Sequence, residues 1–297
     1  MDAFEIDVSE AVGEPAHLAG ARAIVEGANT LFVCLPGGTY GLGYFDLDLD
    51  GYSFARFVAA RGVSVVAFDN LGTGQSTHPD RAVGLDLQAA AAASAVDRLR
   101  DELGVSRVVA VGHSMGGYVA MRQQAAYRSY DGLAVLGTTN FAVAPLDLPA
   151  EMIEAAERGA ATRAELVEQF VSQFPEHYLD ADRGPMLSWF HLDDVPAEVL
   201  EADARTLVNV TALAAAESTV PGITRDDAAL VDVPVFLAYG DVDVSSNARA
   251  KPSAFVSSRD ITLMVLPHTG HCHNTAPTRE TLWRRLLAWN DAVVSSA

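Results

Sequence analysis

The chain alternates short, continuously apolar runs with longer stretches whose apolar positions recur at helical spacing. Thr30–Leu35 (TLFVCL) is apolar without a break and closes on Pro36-Gly37-Gly38, the pattern of a strand buried on both faces. Residues 54–61 read as a short helix and 63–68 (VSVVAF) as the next strand. Leu85–Leu103 is a long amphipathic helix with Gly104 placed to cap its C-terminus, and the alanine run inside it is simply good helix former. Residues 107–111 form a strand, 115–128 a helix and 133–136 a strand. This β-α-β-α-β succession predicts a parallel sheet with helices on both faces.

The rhythm changes from about residue 142 to 226, where no convincing strand occurs. The pieces 150–158, 163–173, 197–208 and 210–217 read as helices, punctuated by Pro145, Pro149, Pro175, Pro185, Pro196 and Pro221. Strands then resume at 233–239 and 261–266, and Pro277 opens a final helix running to about 292. The pattern predicts one core, residues 1–141 and 227–297, with residues 142–226 as a helical insertion between two halves of one sheet. Residues 4–8 and 22–26 are expected to add antiparallel edge strands, and the sequence holds no internal repeat.

With 49% hydrophobic and 20% charged residues over 297 positions, the chain can bury a full core without disulfide or metal staples. The net charge of -19, with Lys251 as the single lysine, repels nucleic acid and anionic membranes, so neither is an expected partner. Two cysteines make no disulfide framework: Cys34 ends an apolar run as a small hydrophobe, and Cys272 stands between two histidines. The first fifteen residues are acidic and lack the basic and apolar segments of a signal peptide. No apolar run approaches the ~20 residues of a membrane span. These features predict a soluble, cytoplasmic protein, either monomer or homodimer.

Candidate chemistry centres on Ser114, in Gly112-His113-Ser114-Met115-Gly116 between an apolar strand and a helix. A serine squeezed between strand end and helix start must turn sharply, and glycines two residues to either side remove the clashes of such a turn. The turn lifts the hydroxyl clear of the sheet, while the helix N-terminus and the Met115 N–H favour negative charge beside it. A serine needs a base, and the base an orienting acid. PVFLAYGDVDV (234–244) offers Asp241 and Asp243 after a strand, and LMVLPHTGHCH (263–273) offers His268, His271 and His273 after another. Both loops are expected at the carboxyl edge of the parallel strands, where Ser114 also lies.

Taken together, these segments resemble the α/β-hydrolase superfamily over nearly the whole chain outside the insertion. Gly112–Gly117 (GHSMGG) resembles its nucleophile elbow, and residues 69–76 (DNLGTGQS) its D-x-x-G-x-G-x-S turn after the fourth strand. Gly240-Asp241-Val242-Asp243 resembles its acid loop and Gly270-His271 its histidine loop. The resemblance implies an α/β-hydrolase fold: a mostly parallel eight-stranded sheet flanked by helices, with a helical cap. It also implies Ser114 as nucleophile, His271 as base and, by the G-x-x-D spacing, Asp243 as acid with Asp241 bracing the loop. The alternative position for the acid, after the preceding strand, holds Thr138-Thr139-Asn140 and no carboxylate. His113 is expected beneath the turn, and His273 in a supporting or surface position.

Relatives carry His-Gly-x after the third strand, where this chain has Pro36-Gly37-Gly38-Thr39-Tyr40-Gly41, so proline replaces the usual histidine. The backbone N–H groups of Gly38 and Met115 are the expected oxyanion donors, with Thr39 the near alternative to Gly38. Expected substrate contacts are Thr39, Tyr40, Phe141, Trp189 and Phe190, with Met152, Phe170, Phe174 and Met186 as further apolar candidates from the insertion. The expected activity is hydrolysis of a small to medium apolar carboxylic ester or lactone, without metal or organic cofactor. The same triad also supports thioester or carbon–carbon bond hydrolysis and acyl transfer, and a ligand receptor with little turnover is the reading from another class. Epoxide- and haloalkane-cleaving relatives use an aspartate nucleophile, against which Ser114 argues. The spacings His268-x-x-His271 and His271-x-His273 lack the further Cys or Glu ligands of a closed zinc site.

Overall fold

The computed structural model describes residues 1–180 and 187–294. Eight strands form one sheet: β1 Asp2–Asp7, β2 His17–Ala23, β3 Thr30–Leu35, β4 Ser64–Phe68, β5 Arg107–His113, β6 Gly132–Leu136, β9 Val235–Gly240 and β10 Ile261–Leu266. Their order is β1-β2-β4-β3-β5-β6-β9-β10, with β1–β2 and β2–β4 paired antiparallel at one edge and the six strands from β4 onward in that order mutually parallel. The parallel strands read as unbroken apolar runs because helices cover both faces. Successive side chains alternate faces, so Leu31, Val33 and Leu35 of β3 join one core while Phe32 and Cys34 join the other.

Helices α1 (Ser9–Val12), α3 (Leu85–Leu103), α4 (Met115–Tyr127) and α10 (Arg225–Leu230) pack on the first face. Helices α2 (Phe54–Ala59) and α11 (Arg279–Trp289) pack on the second, where Phe54, Val58, Leu282 and Trp283 are buried. No helix among the described residues is long and apolar enough to cross a membrane.

Between β6 and α10 lie α5 (Ala150–Glu157), α6 (Ala160–Val171), α7 (Leu187–Phe190), α8 (Ala197–Ala204) and α9 (Ala212–Thr219). Helices α5, α6 and α9 share a small apolar cluster of their own around Leu166, Val167, Ala216 and Val220. This region also holds a strand pair the sequence did not announce, β7 (Tyr178–Leu179) with β8 (Val210–Thr211), antiparallel. Two residues per strand are too few for an alternating pattern. The pairing delays the helix expected at 210–217 to Ala212. The helix expected at 197–208 stops at Ala204 because the chain beyond it bonds to the loop after β3. Gly41 N donates to Thr206 O and Val208 N to Thr39 O, both at 3.1 Å. The final helix widens into a π turn at Asn290–Val294.

The register aligns Leu35 with Gly112, His113 with Leu136, Leu136 with Ala238, and Gly240 with Leu266. The carboxyl ends of these strands therefore share one edge, and the loops carrying the candidate chemistry leave from it.

Candidate active site

Ser114 sits at the junction of β5 and α4 with φ 52° and ψ -119°, a backbone conformation that L residues rarely adopt. Neighbouring bonds hold it there: Ser114 N donates to Leu136 O at 2.8 Å, and the Thr138 hydroxyl donates to Ser114 O at 2.8 Å. The turn is tight enough to demand glycine. A Cβ on Gly116 would lie 2.0 Å from Leu35 O, and one on Gly112 would lie 2.6 Å from Gly116 O. Helix α4 thus starts directly against the end of β3, with the Met115 N–H at its first turn free of any carbonyl one turn back.

The loop after β3 passes just as close. A Cβ on Gly37 would lie 2.9 Å from Ser114 Cβ, and one on Gly38 would lie 3.0 Å from Met115 Cε. Thr39 has φ 66°, a second strained non-glycine residue beside the serine. The DNLGTGQS turn braces this loop from behind: Asn70 Nδ2 donates to Pro36 O at 3.1 Å, and Asp69 accepts from Leu42 N at 2.7 Å and Gln75 N at 2.9 Å. Burial raises the Asp69 carboxyl above its ordinary value, and those backbone donors oppose the rise.

The loops after β9 and β10 meet through close backbone packing, where a Cβ on Gly240 would lie 2.0 Å from Thr269 O. Asp243 is buried and accepts four hydrogen bonds. Oδ1 receives His271 Nδ1 at 2.7 Å and Val244 N at 2.6 Å; Oδ2 receives His273 Nε2 at 2.9 Å and Gly240 N at 3.0 Å. Burial by itself raises the Asp243 carboxyl, but the charge and hydrogen bonds of His271 and His273 outweigh it and hold the group well below the usual carboxylate range. Asp241 instead accepts Thr269 N at 3.0 Å and His268 N at 2.8 Å, tying the two loops at the surface.

With Nδ1 committed to Asp243, His271 has Nε2 left, and its ring lines a cavity of about 240 Å³ together with Ser114. Gly38, Thr39, Met115, Tyr118, Gly137, Val143, Leu146, Trp189, Phe190, Val210, Ala215, Ser218, Thr219 and Val244 complete the wall. The cavity is mostly apolar, and no Asp, Glu, Lys or Arg lines it among the described residues. Helix α7 is clamped to the histidine loop: His271 N donates to Trp189 O at 2.8 Å and Cys272 N to Phe190 O at 2.9 Å. His113 lies beneath, its Nε2 donating to His271 O at 2.9 Å, and burial holds its pKa well below the ordinary histidine value.

Of the expected substrate contacts, Thr39, Trp189 and Phe190 line the cavity, while Tyr40 and Phe141 do not. The left-handed turn at Thr39 swings Tyr40 inward, where it is 1% exposed and its hydroxyl donates to Asp203 at 2.9 Å. Phe141 lies under cations instead, with Lys251 Nζ 4.2 Å and the Arg225 guanidinium 5.7 Å from its ring centre. Met152 and Phe170 pack within the α5, α6 and α9 cluster, Phe174 is exposed, and Met186 lies outside the described residues. Sequence reasoning missed the α9 wall. Ala215, Ser218 and Thr219 share one helical face at i, i+3 and i+4, but small or polar residues give no apolar signal. Cys272 is buried, with its sulfur 2.9 Å from the Tyr40 hydroxyl.

An open parallel sheet with a strained serine, a buried histidine–carboxylate pair and a cavity at its carboxyl edge defines the α/β-hydrolase class. The chain belongs to the alpha/beta hydrolase family, whose family model matches residues 32–282. It is 26% identical over 227 residues to a non-heme haloperoxidase of Rhodococcus erythropolis, a match covering 72% of this chain and 78% of that protein. Its fold is similar to that of a thermophilic esterase from Thermogutta terrifontis, with a TM-score of 0.69 at 19% identity over 98% of both chains. It is also similar to a bromoperoxidase from Bacillus anthracis, with a TM-score of 0.61 at 16% identity over 98% of this chain and 100% of that one.

Proposed function

We propose that the protein is a serine hydrolase that cleaves small to medium apolar carboxylic esters or lactones through an acyl-enzyme on Ser114. The observation that carries this reading is the shared cavity: Ser114, held at positive φ, and His271, whose Nδ1 is fixed on Asp243, line the same wall. His271 Nε2 takes the Ser114 proton as the hydroxyl oxygen attacks the carbonyl carbon. The carbonyl electrons move onto oxygen, where the N–H groups of Gly38 and Met115 receive the charge, each worth about 3 kcal/mol in comparable sites. Collapse of the tetrahedral species expels the alcohol, which leaves with the proton from His271. Water, deprotonated by the same ring, then attacks the acyl carbon and frees Ser114. Residues 142–226 act as the lid, supplying Val143, Leu146, Trp189, Phe190, Val210 and the α9 face to the wall. Every step uses groups of this chain, the substrate and water.

The substrate class follows from the lining. At 240 Å³ the cavity is smaller than the ~300–1,000 Å³ pockets that take drug-sized ligands. With no cation in the wall among the described residues, an acyl group bearing a carboxylate would enter unpaired. A panel of p-nitrophenyl esters, thioesters and lactones tests the reading. Neutral butyrate and hexanoate esters are turned over, and the succinate monoester is slower by about a hundredfold, the scale of burying an unpaired charge. If no member of the panel is hydrolysed, the reading fails; preference for the succinate ester would overturn the neutral-acyl assignment.

A further inference from the structure

Asp243 holds two histidines, and only one of them lines the cavity. His273 is fully buried, donates from Nε2 to Asp243 Oδ2 at 2.9 Å, and has no partner for Nδ1 among the described residues. That geometry fixes its state. Asp243 oxygen accepts, so the proton is on Nε2, and a second proton on Nδ1 would sit buried without an acceptor. His113 is locked the same way, with Nε2 donating to His271 O and Nδ1 unpartnered. The three rings form one cluster, with centres 4.7 Å apart for His113 and His271 and 5.6 Å apart for His113 and His273. Of these three rings, His271 alone lines the cavity.

We propose that His273 is a positioning residue: it fixes the second oxygen of Asp243 as an oriented, ionised acceptor and thereby sets how strongly His271 holds a proton. The inference rests on the reading of His271 as the base. A stranded, buried Nδ1 is costly for stability alone, since an apolar side chain would fill the space without it. The bond also draws electron density away from Asp243. Without it, Oδ1 becomes a stronger partner for the His271 Nδ1–H, the protonated ring is stabilised, and the base is neutral only at higher pH. The other titratable groups around the cluster keep their places. They are Tyr44 stacked on His113 at 4.5 Å, Tyr239 on β9, Cys272 in the same loop, and Asp203 engaged by the Tyr40 hydroxyl. The hydrogen bonds from His271 and His273 each lower the Asp243 carboxyl, the direction expected of an ionised acceptor held by two donors.

Two substitutions separate this role from packing. His273→Phe keeps the ring and loses the donor, whereas His273→Gln keeps an N–H at the position of Nε2. The expected result for His273→Phe is a fall in kcat of about 10- to 100-fold, the scale for losing a group that orients a functional side chain, with KM nearly unchanged. The acid limb of its kcat/KM profile moves up by about one pH unit. His273→Gln restores the wild-type limb and most of kcat. A His273→Phe enzyme with wild-type kcat and acid limb overturns the proposal, as do equal losses in both variants that track only a lowered Tm. Imidazole 15N NMR of the wild type gives an arm independent of activity: His273 carries its proton on Nε2, the nitrogen that donates to Asp243. A proton on its Nδ1 with Nε2 bare also overturns it. If the wild type hydrolyses no ester, the assignment of the base fails first, and the NMR arm still decides the state of His273.

Discussion

Replacing Ser114 with alanine is expected to lower kcat/KM by about 10⁴-fold or more while leaving the fold intact. The size follows from the chemistry: without the hydroxyl no acyl-enzyme forms, and what remains is binding and oxyanion stabilisation of direct attack by water. The fold survives because alanine has the same Cβ as serine and meets the same φ of 52°. The hydrogen bonds that fix this position run through the Ser114 backbone, to Leu136 O and from the Thr138 hydroxyl. Circular dichroism and Tm near the wild type, with turnover at background, are the expected pair of results. A variant retaining a tenth or more of wild-type turnover contradicts the assignment.

The second large effect separates two carboxylates that lie two residues apart. Asp243→Asn is expected to cost about 10⁴-fold in kcat, and Asp241→Asn less than about tenfold. Four donors converge on Asp243, two of them imidazole N–H groups. An amide must turn its NH2 toward one ring, which forces that histidine into the wrong tautomer. Asp241 sits at the surface and accepts the backbone N–H groups of Thr269 and His268, one of which the Asn oxygen keeps. Losing the other costs about 1 kcal/mol of stability and leaves His271 in place.

The Asp243 carboxyl also makes a signed pH prediction. Its folded pKa lies below the unfolded value near 3.9, so its stabilisation is present above that pH and fades as pH falls. The Tm gap between wild type and Asp243→Asn therefore narrows as the pH drops below about 4. Equal damage from the two substitutions, or the reverse ranking, contradicts the choice of Asp243.

Much of this was legible in the sequence for definite reasons. Strands β3, β5, β6 and β9 are buried on both faces and so spell unbroken apolar runs. The elbow announces itself because its geometry admits only glycine at Gly112 and Gly116. What escaped depends on long-range contact. Tyr40 adjoins the loop beside Ser114, yet its hydroxyl is claimed by Asp203, a residue 163 positions away. Phe141 leaves the same edge but turns beneath Lys251 and Arg225. For His273 the choice between a supporting and a surface position stayed open, because nothing local reveals that one aspartate has an oxygen for each of two histidines.

Labelling with a fluorophosphonate, which phosphonylates an activated serine, followed by mapping of the modified peptide, decides whether Ser114 is the nucleophile. The wild type is expected to take up the probe on Ser114 alone, and Ser114→Ala to take up none. A wild type that resists the probe, or a label found elsewhere and retained in Ser114→Ala, would contradict the account.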